Sequence, residues 1–266
     1  MPPPLIPRRG RRALWIVAPV LGLAALVLAW DLALRLAPGG LLPRPDEVLV
    51  ALVELTASGE LLDHVVASVF RVTWGFALAT VLAVPVGVAL GLRPAAEAAA
   101  GPLFELLRPI SPLAWIPLAI LWLGVGDLAA VAIIFLATFL SLVLATKNAV
   151  RTMPAVHLIA GRNFGLSGVA LARRVVLPAI LPSLVVGLRL ALGIAWLVVV
   201  AAEMIAVSSG LGFLIIDARN AGNRYDVVVG GMVMIGVIGV ALDFGMRRLE
   251  RSLVAERGGA GEGSFG

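Results

Sequence analysis

AVHLIAGRNFGLSGVALARRVVLPAILP, residues 155–182, interrupts two long apolar runs and carries Arg162, Arg173 and Arg174. Thr152 and Pro154 can open a short helix here, because proline fits a first turn where its missing N–H costs nothing. Gly165 can close that helix in the left-handed conformation. Ser167 can cap a second short helix through Val176, its hydroxyl accepting from free N–H groups. Arg173 and Arg174 then fall in the last turn, at the negative end of the helix dipole. Pro178 and Pro182 reset the backbone beyond it. The stretch reads as helix, glycine turn, helix, projecting from a membrane. The simpler alternative is an ordinary polar loop between two spans.

The membrane is implied by composition. The 266-residue chain is 61% hydrophobic and 14% charged, with a mean hydropathy of +1.04. Ordinary soluble domains carry about 25% charged residues, so this chain has too little polar surface to cover a water-soluble globule. The expected fold class is an all-α integral membrane protein. A pI near 11.1 raises nucleic acid as a partner. The basic residues, however, cluster at the ends of apolar runs, which is the pattern of membrane topology, and no nucleic-acid partner is expected. The absence of cysteine excludes disulfides and thiolate metal sites. Lys147 is the only lysine and follows Thr146, so the Gly-Lys-Ser/Thr of a phosphate-binding loop is missing. Any ATP hydrolysis belongs to another subunit.

Six spans with both termini cytoplasmic fit the apolar runs. Residues 1–13 form a basic N-terminus, and 14–36 the first span. At 1.5 Å per residue the latter reaches about 34 Å, enough for a hydrocarbon core of roughly 30 Å. Residues 37–63 are periplasmic. There Pro43, Pro45, Asp46 and Glu47 signal a helix start, and Val48, Leu49, Leu52, Val53 and Leu55 give it an apolar face. The main transmembrane domain is 64–248, with spans at about 64–92, 102–123, 128–146, 179–206 and 227–246. The second span contains Arg71, Pro85 and a Gly87–Gly91 pair of GxxxG spacing. Arg93 to Glu97 is a tight inner turn. Pro109, Pro112 and Pro117 must kink or unwind the third span, and freed carbonyls at that depth need protein or a water-filled cavity. The cytoplasmic loop is 147–178. Residues 207–224 form an outer loop whose Leu211, Phe213, Leu214 and Ile215 can dip a short helix into the surface. The tail, 249–266, is charged and then glycine-rich, with a disordered end. Arginines fall mostly on the proposed inner side.

Arg71, Arg108, Arg189, Glu203 and Asp243 lie within spans, where ionised groups are costly. Arg71, Arg189 and Glu203 are candidates for a pathway or gate; the competing reading is interhelical pairing. Arg108 and Asp243 lie near inner ends and read as paired or snorkelling groups. A catalytic set is hard to assemble, since His64 and His157 are the only histidines and fall on opposite sides. Gly165-Leu166-Ser167 lacks the closing glycine of a nucleophile elbow, with Val169 in its place.

The opening stretch resembles the EAA loop of transmembrane subunits of binding-protein-dependent ABC importers. Ala160, Gly165 and Val176-Leu177-Pro178 match that pattern, while Ile159 replaces its glutamate and Gly161 its second alanine. The runs SVFRVTWGFALA, LRPISPLAWIPLAILWLGVGD, ARRVVLPAILPSLVVGLRLALGIAWLVVVAAEMI, SSGLGFLI and DARN are similar to the nitrate, taurine and aliphatic-sulfonate branch. The resemblance implies a type-1 transmembrane domain over 64–248 and a permease rather than an enzyme, in a bacterial inner membrane. It implies two permease subunits forming the pathway, two cytoplasmic ATPases that use ATP, and a periplasmic or lipid-anchored binding protein. No cofactor is implied for this chain. The coupling residues would be Ile159, Ala160, Gly161, Arg162, Gly165, Leu177 and Pro178, with the loop arginines meeting the ATPase or phospholipid. The implied substrate is a small anion such as a sulfonate, taurine or nitrate; the branch also imports thiamine-precursor pyrimidines. A self-contained secondary transporter or channel would instead predict matched broken helices in two halves, and the Pro109–Pro117 pattern has no counterpart.

Overall fold

The computed structural model describes residues 8–36 and 42–258. Parts of three expected segments lie outside the described residues: 1–7 of the basic N-terminus, 37–41 of the periplasmic segment and 259–266 of the tail. Among the described residues every regular element is helical. α1 (Arg8–Leu36) and α2 (Pro45–Ala57) precede the long α3 (Glu60–Leu92). α4 (Pro94–Leu107), a 3-10 turn (Pro112–Trp115) and α5 (Ile116–Leu123) lead to α6 (Asp127–Thr152). α7 (Ala155–Asn163) and α8 (Gly168–Leu171) follow, then a π turn (Ala172–Val176) that runs into α9 (Leu177–Ala206). α10 (Leu211–Gly222) and α11 (Tyr225–Gly258) complete the chain.

α6 is the centre, and one helical row explains why. On α3, Arg71, Gly75, Ala79, Ala83, Gly87 and Gly91 recur every four residues and so lie along one face. On α6, Ala130, Ile134, Thr138, Leu142, Thr146 and Val150 do the same and are buried. A Cβ placed on Gly75 would fall 2.6 Å from Ile134, on Gly87 2.6 Å from Thr146, and on Gly91 2.6 Å from Val150. The two helices therefore run parallel with their backbones close together, a packing that small residues permit. Only the Gly87–Gly91 end of this seam stands out in the sequence as a GxxxG pair. α9 packs antiparallel on α6, with Gly187 against Ala145 and the Gly126 N–H donating to the Ala206 carbonyl at 2.8 Å. α11 joins through Trp196, whose indole N–H donates to the Ile235 carbonyl at 3.0 Å.

Among the described residues four helical runs are long and apolar enough to cross a membrane: α3, α6, Gly168–Ala206 and Tyr225–Leu253. α4 and the stretch Pro112–Leu123 form a fifth candidate, bent by 89°.

Several boundaries differ from expectation. The third span, expected over 102–123, begins at Pro94, because proline fits that first turn. The inner turn shrinks to the extended Arg93. The break falls between Leu107 and Pro112, where Pro109 and Pro112 remove two donors, while Pro117 sits in the first turn of α5. The span expected at 128–146 continues to Thr152, whose hydroxyl donates back to the Asn148 carbonyl at 2.9 Å. Thr152 thus ends α6 instead of opening α7. The spans expected at 64–92 and 227–246 begin earlier, at Glu60 and Tyr225, and the last also runs on to Gly258.

The expected second loop helix is not separate. Ser167 occupies the N-cap position in extended conformation, but its side chain makes no capping bond. The chain then winds from Gly168 into α9 without a break, and Pro178 and Pro182 do not reset it. Pro178 lies two residues after the π turn and Pro182 inside α9. A π turn re-registers the hydrogen-bond ladder, so the helix can continue past missing donors. Arg173 and Arg174 therefore lie within a continuing helix, where the dipole argument does not apply. On α10, Leu211 and Leu214 are buried in the protein core and do not dip into the surface. α2 differs from the expected surface helix: Val48, Ala51 and Leu55 are buried against the bundle, while Leu49 and Val53, expected on the same apolar face, are exposed.

Gly87→Val would press on the Val143 carbonyl at 2.8 Å as well as on Thr146. It is expected to cost about 1–3 kcal/mol as overpacking, read as a lowered thermal midpoint in detergent. Gly193→Ala, with nothing within 4 Å of the new methyl group, should leave the midpoint unchanged or raise it.

Candidate functional site

The loop between α6 and α9 is built around α7, a nine-residue helix. It ends in a complete Schellman motif. The Leu166 N–H donates to the Gly161 carbonyl at 3.0 Å and the Gly165 N–H to the Arg162 carbonyl at 2.9 Å. Gly165 takes φ +76°, as this motif requires. Gly161 is buried, and a Cβ there would lie 2.7 Å from Leu171 and 3.0 Å from Val175. That close approach seats α7 on the extension of α9. Ile159 faces outward and is 59% exposed; Ala160 and Arg162 are also exposed. Leu177 and Pro178 are half-buried at the base of α9. Val156, Phe164 and Val169 are exposed apolar residues of the same loop that motif matching did not pick out. Their signal was the spacing of Val156 and Ile159 on a helix too short to cross a membrane.

The in-span charges divide into separate clusters. At the end of the bundle that carries α2 and α10, Arg71 and Glu203 meet, 2% and 0% exposed. Arg71 Nη1 donates to Glu203 Oε1 at 2.7 Å and to the Ser209 carbonyl at 2.8 Å. Its Nε donates to Asp127 Oδ1 at 2.8 Å, and its Nη2 to Ser209 Oγ at 2.5 Å. Glu203 Oε2 accepts from Ser68 Oγ at 2.9 Å and from the Gly212 N–H at 3.0 Å. Ser68 Oγ accepts from the Leu211 N–H, and His64 Nδ1 from the Gly210 N–H at 3.0 Å. A Cβ on Gly210, at φ +103°, would overlap the Glu203 carboxylate. The pair is saturated and closely enclosed, tying α3, α6, α9 and the 207–210 turn together. Sequence reading nominated Arg71 and Glu203 but missed Asp127 and Ser209, which lie in other elements, and Ser68 and His64, which precede Arg71 on α3.

Arg189 is elsewhere. It donates to Asp243 at 2.6 Å and to Glu250 at 3.4 Å, joining α9 to α11. Arg247 also binds Asp243, at 2.8 Å. Lys147, 7% exposed, donates to Glu97 at 2.9 Å and joins α4 to α6. Beside Lys147 the α4–α5 bend stands off α6 and leaves a cavity of about 480 Å³. Glu105, Arg108, Ser141, Lys147 and Asn148 supply its polar lining. Among the described residues no group of three His, Cys, Asp or Glu side chains could hold a metal ion.

Long apolar helices pinned by buried ion pairs, with one short helix seated at their end, are the frame of a membrane-spanning subunit. The family described as "Binding-protein-dependent transport system inner membrane component" matches residues 48–255. The chain belongs to that family. It is 34% identical over 241 residues to the taurine transport system permease protein of Escherichia coli, covering 88% of this chain and 86% of that one. It is 33% identical over 236 residues to the putative aliphatic sulfonates transport permease protein of Bacillus subtilis, covering 88% and 85%. Its fold matches inward-facing MetNI methionine ABC transporter structures, with a TM-score of 0.66 at 20% identity over 73% of this chain and 95% of that one. These relatives are transport permease subunits, not enzymes.

Arg71→Met strands Glu203 as a buried carboxylate without its cation. The expected cost is about 3–5 kcal/mol. Arg71→Met combined with Glu203→Met should recover part of it, because the uncompensated charge is gone. Thermal unfolding of the three proteins in detergent checks the order.

Proposed function

We infer that this chain forms, with a second copy of itself, the pathway of an importer for a small sulfonate-type anion such as taurine. Two separate ATPases would dock on α7 and supply the driving force. The observation that carries this reading is the seating of α7: Gly161 locks it to Leu171 and Val175 while Val156, Ile159 and Phe164 stay exposed. A short helix with an apolar outer row fits a groove on a soluble partner. Because α7 is packed on the extension of α9, a push on it would travel along α9 to the far end of the bundle.

The topology that supports this has six crossings. α1, at 29 residues, is the first, and the bent α4–α5 pair is the third. Both termini and α7 are then cytoplasmic, where most arginines fall. α2 and α10 lie at the opposite face, available to a substrate-binding protein. In this reading Arg71 and Glu203 act as a joint rather than a lining, since both are enclosed and fully bonded. Arg189 acts as a brace between α9 and α11. The exposed Arg173 and Arg174 lie where they can meet anionic lipid. The substrate class is inferred from the taurine and sulfonate relatives.

Two variants test the coupling. Gly161→Val forces α7 off Leu171 and Val175, so substrate-stimulated ATPase activity of the assembled transporter is expected to fall tenfold or more, with the bundle still folded. Ile159→Asp removes an exposed apolar anchor and should weaken ATPase association by about 30-fold, measured by co-purification. Normal stimulated activity in Gly161→Val would count against the coupling role. ATP-independent taurine uptake by this polypeptide alone would overturn the importer reading.

A further inference from the structure

Most charged side chains between the long helices are paired within the fold. Arg71 is held by Glu203 and Asp127, Arg189 by Asp243 and Glu250, and Lys147 by Glu97. Arg108 is different. Among the described residues its guanidinium has no ion pair and no hydrogen bond, and it is exposed at the α4–α5 bend. An exposed guanidinium whose N–H donors are unengaged is available to an anionic ligand.

The surroundings indicate which ligand. Pro109 ends α4 immediately after Arg108, and the chain turns through 89° before α5. The bend opens the 480 Å³ cavity over one face of α6, with Ala137, Ser141, Leu144 and Asn148 on successive turns. This volume is ample for a small solute together with water. Ser141 Oγ already donates to the Ala137 carbonyl at 3.0 Å, so its proton is engaged and recognition of a ligand falls to the charged side chains. The lining holds two cations, Arg108 and Lys147, and one carboxylate, Glu105. Lys147 is already neutralised by Glu97, so Arg108 is the free donor.

We propose that this cavity is an oxyanion-binding station on the transport route, and that Arg108 holds the sulfonate group of the passing solute. The inference rests on the importer reading for its solute. A guanidinium presents two parallel N–H donors, which match two oxygens of a sulfonate. Glu105, one turn earlier on α4, opposes full neutralisation. A site on a pathway must bind well enough to be entered and weakly enough to be left. Arg71 and Arg189 cannot serve in this way without giving up the carboxylates that hold them.

The absence of cysteine gives a direct test. Ser141→Cys places one thiol in the cavity of the transporter purified with its ATPases. It is labelled with methanethiosulfonate reagents carrying either a sulfonate or a quaternary ammonium. The sulfonate reagent should react faster. Adding Arg108→Gln should slow it about tenfold and favour the cationic reagent, while Glu105→Gln should shift the preference the other way. Ethanesulfonate should protect the thiol when Arg108 is present. A thiol inert to both reagents, or rates indifferent to Arg108→Gln, would overturn the proposal. Taurine uptake separates the two readings. No uptake by the parent transporter, with the charge preference intact, rejects the solute class and leaves the anion station standing. Uptake whose KM is unchanged in Arg108→Gln and Arg108→Lys rejects the station and leaves the importer.

Discussion

The close approach of α3 and α6 governs the rest of the molecule. Apolar side chains gain little by leaving lipid for one another, so helices in a membrane associate through packing. Gly75, Ala79, Ala83 and Gly87 strip α3 to its backbone on one face, and Ile134, Leu142 and Thr146 fill the space. This seam runs nearly the length of α6 and along α3 from Arg71 to Gly91. It brings Arg71 beside Asp127 at one end and Gly91 beside Val150 at the other. α9 can then pack beside the seam against both α3 and α6 and deliver Glu203 to Arg71. The buried ion pair is placed by the seam; it does not create it.

Much of the architecture was legible because hydrophobicity and proline act locally. Long apolar runs marked the long helices, and Pro109 and Pro112 marked the break. The glycine at 165 marked the end of α7 through its need for positive φ. What stayed hidden depends on distant partners or on alternatives within the backbone. Arg71 meets Asp127, Glu203 and Ser209, which are 56, 132 and 138 positions away. Pro178 and Pro182 suggested a break, but the π turn before them keeps the helix running. Thr152 bears a hydroxyl that suits a helix start, yet it bonds backwards to Asn148.

The candidate site shows the same division. Ala160, Gly161 and Gly165 announced a tight helical loop, and Gly161 is indeed where α7 meets its neighbour. The apolar outer row of Val156, Ile159 and Phe164 was less visible, because an exposed valine or phenylalanine looks ordinary in so apolar a chain. Intramembrane arginines were visible as a set, but their roles were not separable until their partners were known. Two are bound within the fold and one, Arg108, is left over.

The π turn at Ala172–Val176 sets the screw phase of the loop relative to the membrane helix. An α-helix advances about 100° per residue, so one residue more or fewer in that turn would swing Leu171 around the axis and away from Gly161. The orientation of α7 is thus dialled by a single backbone register, and length changes confined to this turn would re-aim the whole short element without altering any side chain on it.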